Sequence, residues 1–137
     1  MTTRPRIALS VVFLLALLSV PALPHNASPV DPKTVPVIDA GIVPCSAEFT
    51  VNDASGAPVY DAKVRVQIAY GFMNLHKLDL EVGTNAAGKA RFTGLPDKPR
   101  QGLFFRASGG GREASAFDDP AKTCKAGLVI ALEKKTQ

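Results

Sequence analysis

The sequence predicts an all-β protein, specifically a seven-stranded antiparallel β-sandwich of the Greek-key type. Three observations lead to this fold class. From Cys45 onward, short apolar runs alternate with polar residues at a period of two, which is the pattern of half-buried strands. Clusters of Gly, Pro, Asn and Asp separate these runs at intervals of about ten residues. No part of this region has apolar residues at the spacing of an amphipathic helix.

Each predicted strand is bounded by residues that favour turns. In chain order, the seven strands have the sequences AEFTV, AKVRVQIAY, KLDLEVGT, ARFTGL, GLFFRAS, EASAFDD and AGLVIALEK. In the second strand Val64, Val66 and Ile68 alternate with polar residues, so one face of this strand is predicted to enter the core. The segments NDASGAP and NAAGKA between strands contain the Asn, Asp and Gly residues that tight turns require.

The N-terminus has the organisation of a secretory signal peptide. Arg4 and Arg6 precede an apolar stretch, residues 7–20, which is shorter than the roughly 20 residues that span a membrane. Small residues follow, and cleavage after Ala22 or after Ala27 fits the pattern. The alternative is an uncleaved N-terminal anchor. We therefore predict a secreted or periplasmic protein with no membrane insertion after signal cleavage.

The chain is predicted to have three parts. Residues 1–27 are the signal peptide, residues 28–44 form a proline-rich linker or arm, and residues 45–137 form the sandwich. The arm contains four prolines and has neither a helical nor an alternating period, so we expect it to be extended. Its Val and Ile residues leave open that part of the arm packs along the edge of the domain.

The charge of the chain argues against a nucleic-acid partner. The formal net charge is +4, and removal of Arg4 and Arg6 with the signal peptide reduces this excess. The remaining charges are interspersed along the chain, whereas a nucleic-acid-binding protein needs basic residues clustered in a patch or stripe.

Two cysteines, Cys45 and Cys124, lie in the exported part of the chain and are predicted to form a disulfide, since oxidising compartments favour this state. A bond closing a loop of about 80 residues stabilises the fold by roughly 4 kcal/mol in the chain-entropy model. If it forms, the first and last strands begin side by side and run parallel. Two free thiols are the alternative, and a zinc site lacks the necessary ligand spacing.

The segments FTVNDASGAPVYDAKVRV and VGTNAAGKARFTGLP resemble the carboxypeptidase regulatory-like domain, a transthyretin-like β-sandwich. The positions that match the family pattern are Asp53, Gly56, Pro58, Val59, Ala62, Val64, Thr84, Asn85, Gly88, Phe92, Leu95 and Pro96. The resemblance runs from Cys45 to about Leu132 and implies an accessory module on this fold.

The matching residues also have physical roles of their own. Asp53 is expected to accept hydrogen bonds from backbone amides of its own turn, and Gly56 is expected to take a positive φ. Phe92 is expected to lie in the core.

No catalytic residue, metal ligand set or cofactor is predicted. His76 is the only histidine of the sandwich, and it has no evident nucleophile beside it. Tyr60, Tyr70 and His76 are too few for the two Tyr and two His that hold iron in intradiol dioxygenases, an enzyme class with a related sandwich. Adjacent Asp118 and Asp119 precede a proline and are interpreted as turn formers, with half of a calcium site as the alternative.

The candidate ligand or partner surface is the loop AYGFMNLHK, which contains Tyr70, Phe72, Met73 and His76. Exposed aromatic side chains stack on sugar rings or on the side chains of a partner. The alternative, which the apolar character of the loop favours, is that Phe72 and Leu75 fold back and cap one end of the sandwich.

The sequence therefore predicts a secreted, non-catalytic accessory or binding domain with a structural or protein-interaction role. Its partner would be an unidentified protein or glycan, and it would not be an enzyme. The alternatives are a carbohydrate-binding module that uses Tyr70 and Phe72, and a small hydrolase that depends on His76.

Overall fold

Two β-sheets pack face to face in the computed structural model, which describes residues 32–134. The strands are β1 (Val37–Asp39), β2 (Pro44–Asn52), β3 (Lys63–Tyr70), β4 (His76–Gly83), β5 (Lys89–Pro96), β6 (Leu103–Gly109), β7 (Arg112–Asp118), β8 (Lys125–Ala131) and β9 (Glu133–Lys134). A 3-10 turn, Phe72–Asn74, joins β3 to β4. The predicted signal peptide lies outside the described residues. Within residues 32–134 no helix is long and apolar enough to cross a membrane.

The first sheet has the strand order β1-β5-β2-β8, and the second has the order β4-β3-β6-β7-β9. The seven predicted strands correspond to β2 through β8, so the predicted all-β sandwich is confirmed. The last predicted strand is divided, because the chain leaves the first sheet after Ala131 and pairs Glu133 with Glu113 of β7 in the second. Leu132, between the two strands, is buried in the core.

The Cys45–Cys124 disulfide is present, with a Cα–Cα distance of 4.6 Å. As the sequence predicted for a bonded pair, β2 and β8 run parallel, from Ser46 opposite Lys125 to Asn52 opposite Ala131. A second parallel pair, β1 with β5, joins the arm to the otherwise largely antiparallel sandwich. In both pairs the strands are far apart in sequence, and parallel pairing needs such long connections.

Three phenylalanines join the two sheets in the core. Phe49 of β2 and Phe92 of β5 belong to the first sheet, and Phe105 of β6 belongs to the second; all three are fully buried. The ring of Phe105 lies 4.6 Å from that of Phe49 and 5.4 Å from that of Phe92, measured between centroids. Aromatic pairs at such distances contribute about 0.5–1.5 kcal/mol beyond their buried area. The predicted core position of Phe92 is confirmed.

The turn between β2 and β3 has the predicted geometry. The carboxylate of Asp53 accepts hydrogen bonds from the backbone amides of Ser55 (2.8 Å) and Ala57 (3.0 Å), and from the Ser55 hydroxyl (2.6 Å). These hydrogen bonds lower the pKa of Asp53, and the one from the Ser55 hydroxyl has the largest effect. Gly56 has a φ of +85°, which few residues other than glycine adopt without strain.

The proline-rich arm lies along the first sheet from residue 32 onward. Val37–Asp39 forms β1 on the edge of β5, and the side-chain amide of buried Asn85 donates to the carbonyls of Lys33 (3.1 Å) and Thr34 (3.3 Å). The Asn85 side-chain oxygen also accepts from the amides of its own turn. One buried side chain thus shapes a turn and holds the arm against it.

Candidate functional site

A cleft with a volume of about 930 Å³ lies on the outer face of the second sheet. Its floor consists of outward-facing side chains of three adjacent strands, namely Arg65, Gln67, Ala69, Lys77, Asp79, Glu81, Phe104 and Arg106. Met73 and Asn74 form one wall, and residues 99–101 form another. The strand alternation that buries Val64, Val66 and Ile68 in the core also directs the intervening polar residues to this face.

Both acidic side chains of the cleft are already engaged. Glu81 lies opposite Arg65 in the β3–β4 register and forms an ion pair with it. Asp79 lies opposite Gln67 and accepts a hydrogen bond of 3.0 Å from the Gln67 side-chain amide.

The remaining cations of the cleft have no acidic side chain of the described residues in direct contact. Within residues 32–134, Lys77, Arg100 and Arg106 form no ion pair. The cleft lining has the four cations Arg65, Lys77, Arg100 and Arg106 against the two carboxylates Asp79 and Glu81, so an excess of positive charge remains.

Arg65 and Arg106 face each other directly in the β3–β6 register. Two like charges at opposed positions on one face of a sheet destabilise it. Glu81, on the other side of Arg65, balances only one of the two guanidinium groups. An anion bound between the two arginines would relieve the repulsion, because guanidinium groups bind carboxylates and phosphates through paired hydrogen bonds.

An aromatic pair borders the cleft. The rings of Phe104 on β6 and Phe117 on β7 are both largely exposed, and their centroids lie 4.8 Å apart. Phe104 also lines the cleft. A ligand held by the cationic side chains would thus also contact the apolar ring of Phe104 on the same surface.

The outer face of the first sheet differs in its charge balance. Glu48 of β2 forms ion pairs there with Arg91 and, at 3.9 Å, with Lys89 of β5. The hydrogen bond from Arg91 is the main cause that lowers the pKa of Glu48. Among the described residues, two of the three cations on that face, Lys89 and Arg91, are thus paired with a carboxylate and Lys125 is not, whereas in the cleft only Arg65 is paired.

The predicted loop residues separate into two groups. Tyr70 is partly buried, and its ring packs against that of His76 with a centroid distance of 5.4 Å. Phe72 is 81% exposed, and Met73 is also exposed. The capping alternative is wrong, because Leu75 is 73% exposed and the 3-10 turn contains no buried residue. Of the four predicted residues, Met73 lines the cleft, and a ligand-binding role of all four stays a prediction.

The backbone of this loop explains the exposure of its side chains. Gly71 has a φ of +80°, and Met73 and Asn74 have φ values of +53° and +55°. Two consecutive non-glycine residues in the left-handed region are uncommon and carry a conformational cost. A Cβ atom at Gly71 would lie only 2.7 Å from Cδ2 of His76. The position of the His76 ring is therefore a second reason why residue 71 is a glycine. This backbone turns the apolar side chains outward.

Asp118 and Asp119 have different surroundings although they are adjacent. Asp119 forms its turn as predicted, accepting from the amide of Ala121 and pairing with Lys122 at 3.5 Å. Asp118 is only 6% exposed, and within the described residues its Oδ2 atom has no hydrogen-bond partner. Burial, more than the neighbouring charge of Asp119, raises the pKa of Asp118. This burial differs from the sequence-based interpretation of both residues as turn formers.

No group of three or more His, Cys, Asp or Glu side chains suited to a metal ion occurs within residues 32–134. Of the three residues compared above with an iron ligand set, Tyr70 and His76 are in contact. Tyr60 lies in the exposed turn between β2 and β3. Asp118 and Asp119 are likewise not part of such a group.

No family model matches the chain, and no curated protein matches it. Among solved structures it is similar to catechol 1,2-dioxygenase from Acinetobacter sp. ADP1, with 14% identity, a TM-score of 0.47 and coverage of 75% of this chain. It is also similar to catechol 1,2-dioxygenase from Pseudomonas arvilla C-1, with 15% identity, a TM-score of 0.49 and coverage of 80%. The chain spans 60% and 61% of the length of these two proteins. Hydroxyquinol 1,2-dioxygenase from Pseudomonas putida DLL-E4 has 12% identity and a TM-score of 0.42, with 79% of this chain and 65% of that chain covered.

These comparisons correct the function predicted from the sequence. We expected a non-catalytic accessory or binding domain, with a carbohydrate-binding module or a small hydrolase as alternatives. The similar solved structures are instead dioxygenases, so that expectation is contradicted and is not retained. At 12–16% identity the likeness concerns the fold alone. The chain is thus a β-sandwich whose activity these similarities do not establish.

Proposed function

We propose that the chain binds a small organic anion in the cleft on the outer face of the second sheet. The observation that carries this proposal is the excess of cations there: Lys77, Arg100 and Arg106 have no acidic partner within residues 32–134. The opposed pair Arg65 and Arg106 adds a position where a carboxylate or phosphate would be held by guanidinium groups from two strands.

The size and lining of the cleft indicate the kind of anion. Small-molecule sites have volumes of about 300–1,000 Å³, and the 930 Å³ of this cleft lies within that range. Phe104 provides an apolar surface beside the cations, so an acid with a planar or apolar body fits better than a compact inorganic ion. Because the site is open to solvent, we expect weak binding that decreases as ionic strength rises.

Titration of the isotope-labelled protein with benzoate, followed by amide chemical shifts, tests the proposal. We expect shifts at Arg65, Lys77 and Arg106, and much smaller shifts with benzamide, which has the same ring without the charge. The substitutions Arg106→Ala and Lys77→Ala should each weaken binding about fivefold, as the loss of one exposed charge interaction worth ~1 kcal/mol predicts.

The matched control is Lys125→Ala, which removes an exposed cation from the first sheet and should leave binding unchanged. If benzoate, citrate and inorganic phosphate all fail to shift the amides of the cleft at millimolar concentration, the proposal is wrong. Analysis of the acid after prolonged incubation distinguishes a binding protein, which returns it intact, from an enzyme.

We further propose that the chain is exported and that the sandwich is of the carboxypeptidase regulatory-like type. The Cys45–Cys124 bond supports export, since disulfides persist in oxidising compartments. The turn geometry of Asp53 and Gly56 supports the resemblance. Fractionation of cells expressing the full chain, with N-terminal sequencing of the product, tests export: a new terminus after Ala22 or Ala27 is expected, and an intact cytoplasmic chain would contradict it.

A further inference from the structure

A group of exposed apolar residues lies at the tip of the β3–β4 connection. Phe72, Met73 and Leu75, which we call the apolar tip, are all at least 70% exposed. Three large apolar side chains in four consecutive residues, none of them buried in the core, form a patch that soluble proteins normally avoid unless it has a role in binding.

The apolar tip lies at the end of the sandwich that carries the excess of basic loop residues. Because β3 and β6 are antiparallel, as are β6 and β7, the end of β3 meets the beginning of β6 and the end of β7. The loop 97–102 and the segment 119–125 therefore lie at this end together with the tip. The cations that these segments and the start of β4 contribute are Lys77, Lys98, Arg100, Lys122 and Lys125.

The acids at this end are fewer. Asp97 and Asp119 are the acidic residues of these loops, Asp39 and Asp118 end the neighbouring strands β1 and β7, and Asp119 is paired with Lys122. At the opposite end, Asp61 of the turn between β2 and β3 is paired with Lys63, and Arg112 at the start of β7 contributes to lowering the pKa of Asp53. Cations thus accompany the acids of that end, whereas beside the apolar tip Lys77, Lys98 and Arg100 outnumber Asp97.

We propose that the apolar tip docks on the surface of an anionic phospholipid bilayer. Phe72 and Leu75 enter the boundary between headgroups and acyl chains, while Lys98 and its basic neighbours contact the lipid phosphates. Apolar side chains flanked by cations are the pattern of interfacial membrane binding. The docking is peripheral and needs no spanning segment. The docking surface shares Met73, Lys77 and Arg100 with the cleft, but Phe72, Leu75 and Lys98 lie outside the cleft lining, so the two proposals can be tested separately.

Cosedimentation of the full chain with vesicles tests this. We expect binding to phosphatidylcholine vesicles that contain phosphatidylglycerol to exceed binding to pure phosphatidylcholine vesicles at least tenfold, and to decrease with added salt. The double substitution Phe72→Ser and Leu75→Ser should lower binding at least tenfold. Lys98→Ala should lower it about fivefold, the effect of one cation near an anionic surface.

Two controls make the result specific. Val129→Ser removes an apolar side chain of the same 73% exposure from β8 and should not change binding. All variants share the same N-terminus, so any vesicle binding by residues 1–31 is a constant background. The serine variant should also bind benzoate as the native chain does, which separates this proposal from the proposed function.

Three outcomes would overturn the proposal. The first is equal vesicle binding by the native chain and the serine variant. The second is equal binding to neutral and anionic vesicles. The third is a concentration-dependent dimer in solution that the serine substitutions abolish, because this would assign the tip to a second copy of the chain.

Discussion

Cys45, the second residue of β2, is bonded to Cys124, the residue directly before β8. The bond joins the beginnings of two strands that run parallel from that point. It therefore links the first long strand of the sandwich to the last.

Replacing both cysteines with alanine should lower the free energy of unfolding by about 2–5 kcal/mol, because a loop with a sequence separation of 79 is no longer closed in the unfolded chain. Urea denaturation followed by circular dichroism measures the difference. Reductant should destabilise the native chain by a similar amount and leave the alanine variant unchanged. Equal midpoints for native and variant proteins would show that the bond does not stabilise the fold.

Asp118→Asn should stabilise the protein at neutral pH by about 1 kcal/mol, because a buried carboxylate oxygen without a partner is costly when charged. Burial raises the folded-state pKa of Asp118, so the folded state favours the protonated form. The contribution of Asp118 to the free energy of unfolding is therefore fully favourable below the pKa that Asp118 has in the unfolded chain. This contribution is lost as the pH rises through the folded-state pKa. The advantage of asparagine should therefore vanish in acid.

Thermal denaturation of Asp118→Asn across a pH series checks this prediction. Asp119→Asn is the matched control and should change stability little, since asparagine retains the oxygen that accepts from Ala121. A loss of stability in Asp118→Asn at neutral pH would contradict the prediction.

Gly94→Ala should destabilise the protein more than Gly110→Ala. Both glycines have a positive φ, of +65° and +57°, so both substitutions carry a conformational cost of about 1 kcal/mol. A Cβ at Gly94 would also lie 2.0 Å from Oδ1 of Asp39 and 2.6 Å from the amide of Gly41, whereas one at Gly110 meets nothing within 4 Å. Hydrogen exchange of β1 should accelerate in the first variant alone. Equal unfolding midpoints for the two variants would indicate that the arm moves away from residue 94 without lowering the stability of the protein.

Asn85→Ala should lower the free energy of unfolding by about 2–3 kcal/mol, since it removes the donor to the arm and leaves partly buried backbone groups without their side-chain partner. Faster proteolysis within residues 32–36 is the specific sign that the arm has detached. If the protease pattern stays native while stability falls, Asn85 acts through its own turn only.

The sandwich was predictable because alternation of apolar residues reports directly on which face of a strand is buried. The β2–β8 pairing also followed, since a disulfide fixes where two strands begin. β1 could not be found in this way: Val37 and Ile38 lie among prolines without alternation, and their pairing depends on Gly94 and Asn85, far away in sequence.

The cleft could not be predicted from the sequence, for a related reason. Alternation shows that Arg65 and Arg106 both point outward, but only the register of β3 and β6 shows that they face each other. The exposure of Phe72 and Leu75 depends on the left-handed backbone of Met73 and Asn74, which residue type does not reveal.

The parallel pairing of β2 with β8 has a consequence for the order in which the chain folds. Contacts between strands so distant in sequence form slowly, because the intervening chain must first be brought together. During synthesis from the N-terminus, β2 can pair with β5 as soon as both strands have been made. The other edge of β2 stays unpaired until Lys125–Ala131 has been synthesised. Products that end before β8 would expose this edge to other chains, and unpaired edges promote aggregation. The first sheet is therefore protected only once residues 125–131 have been synthesised.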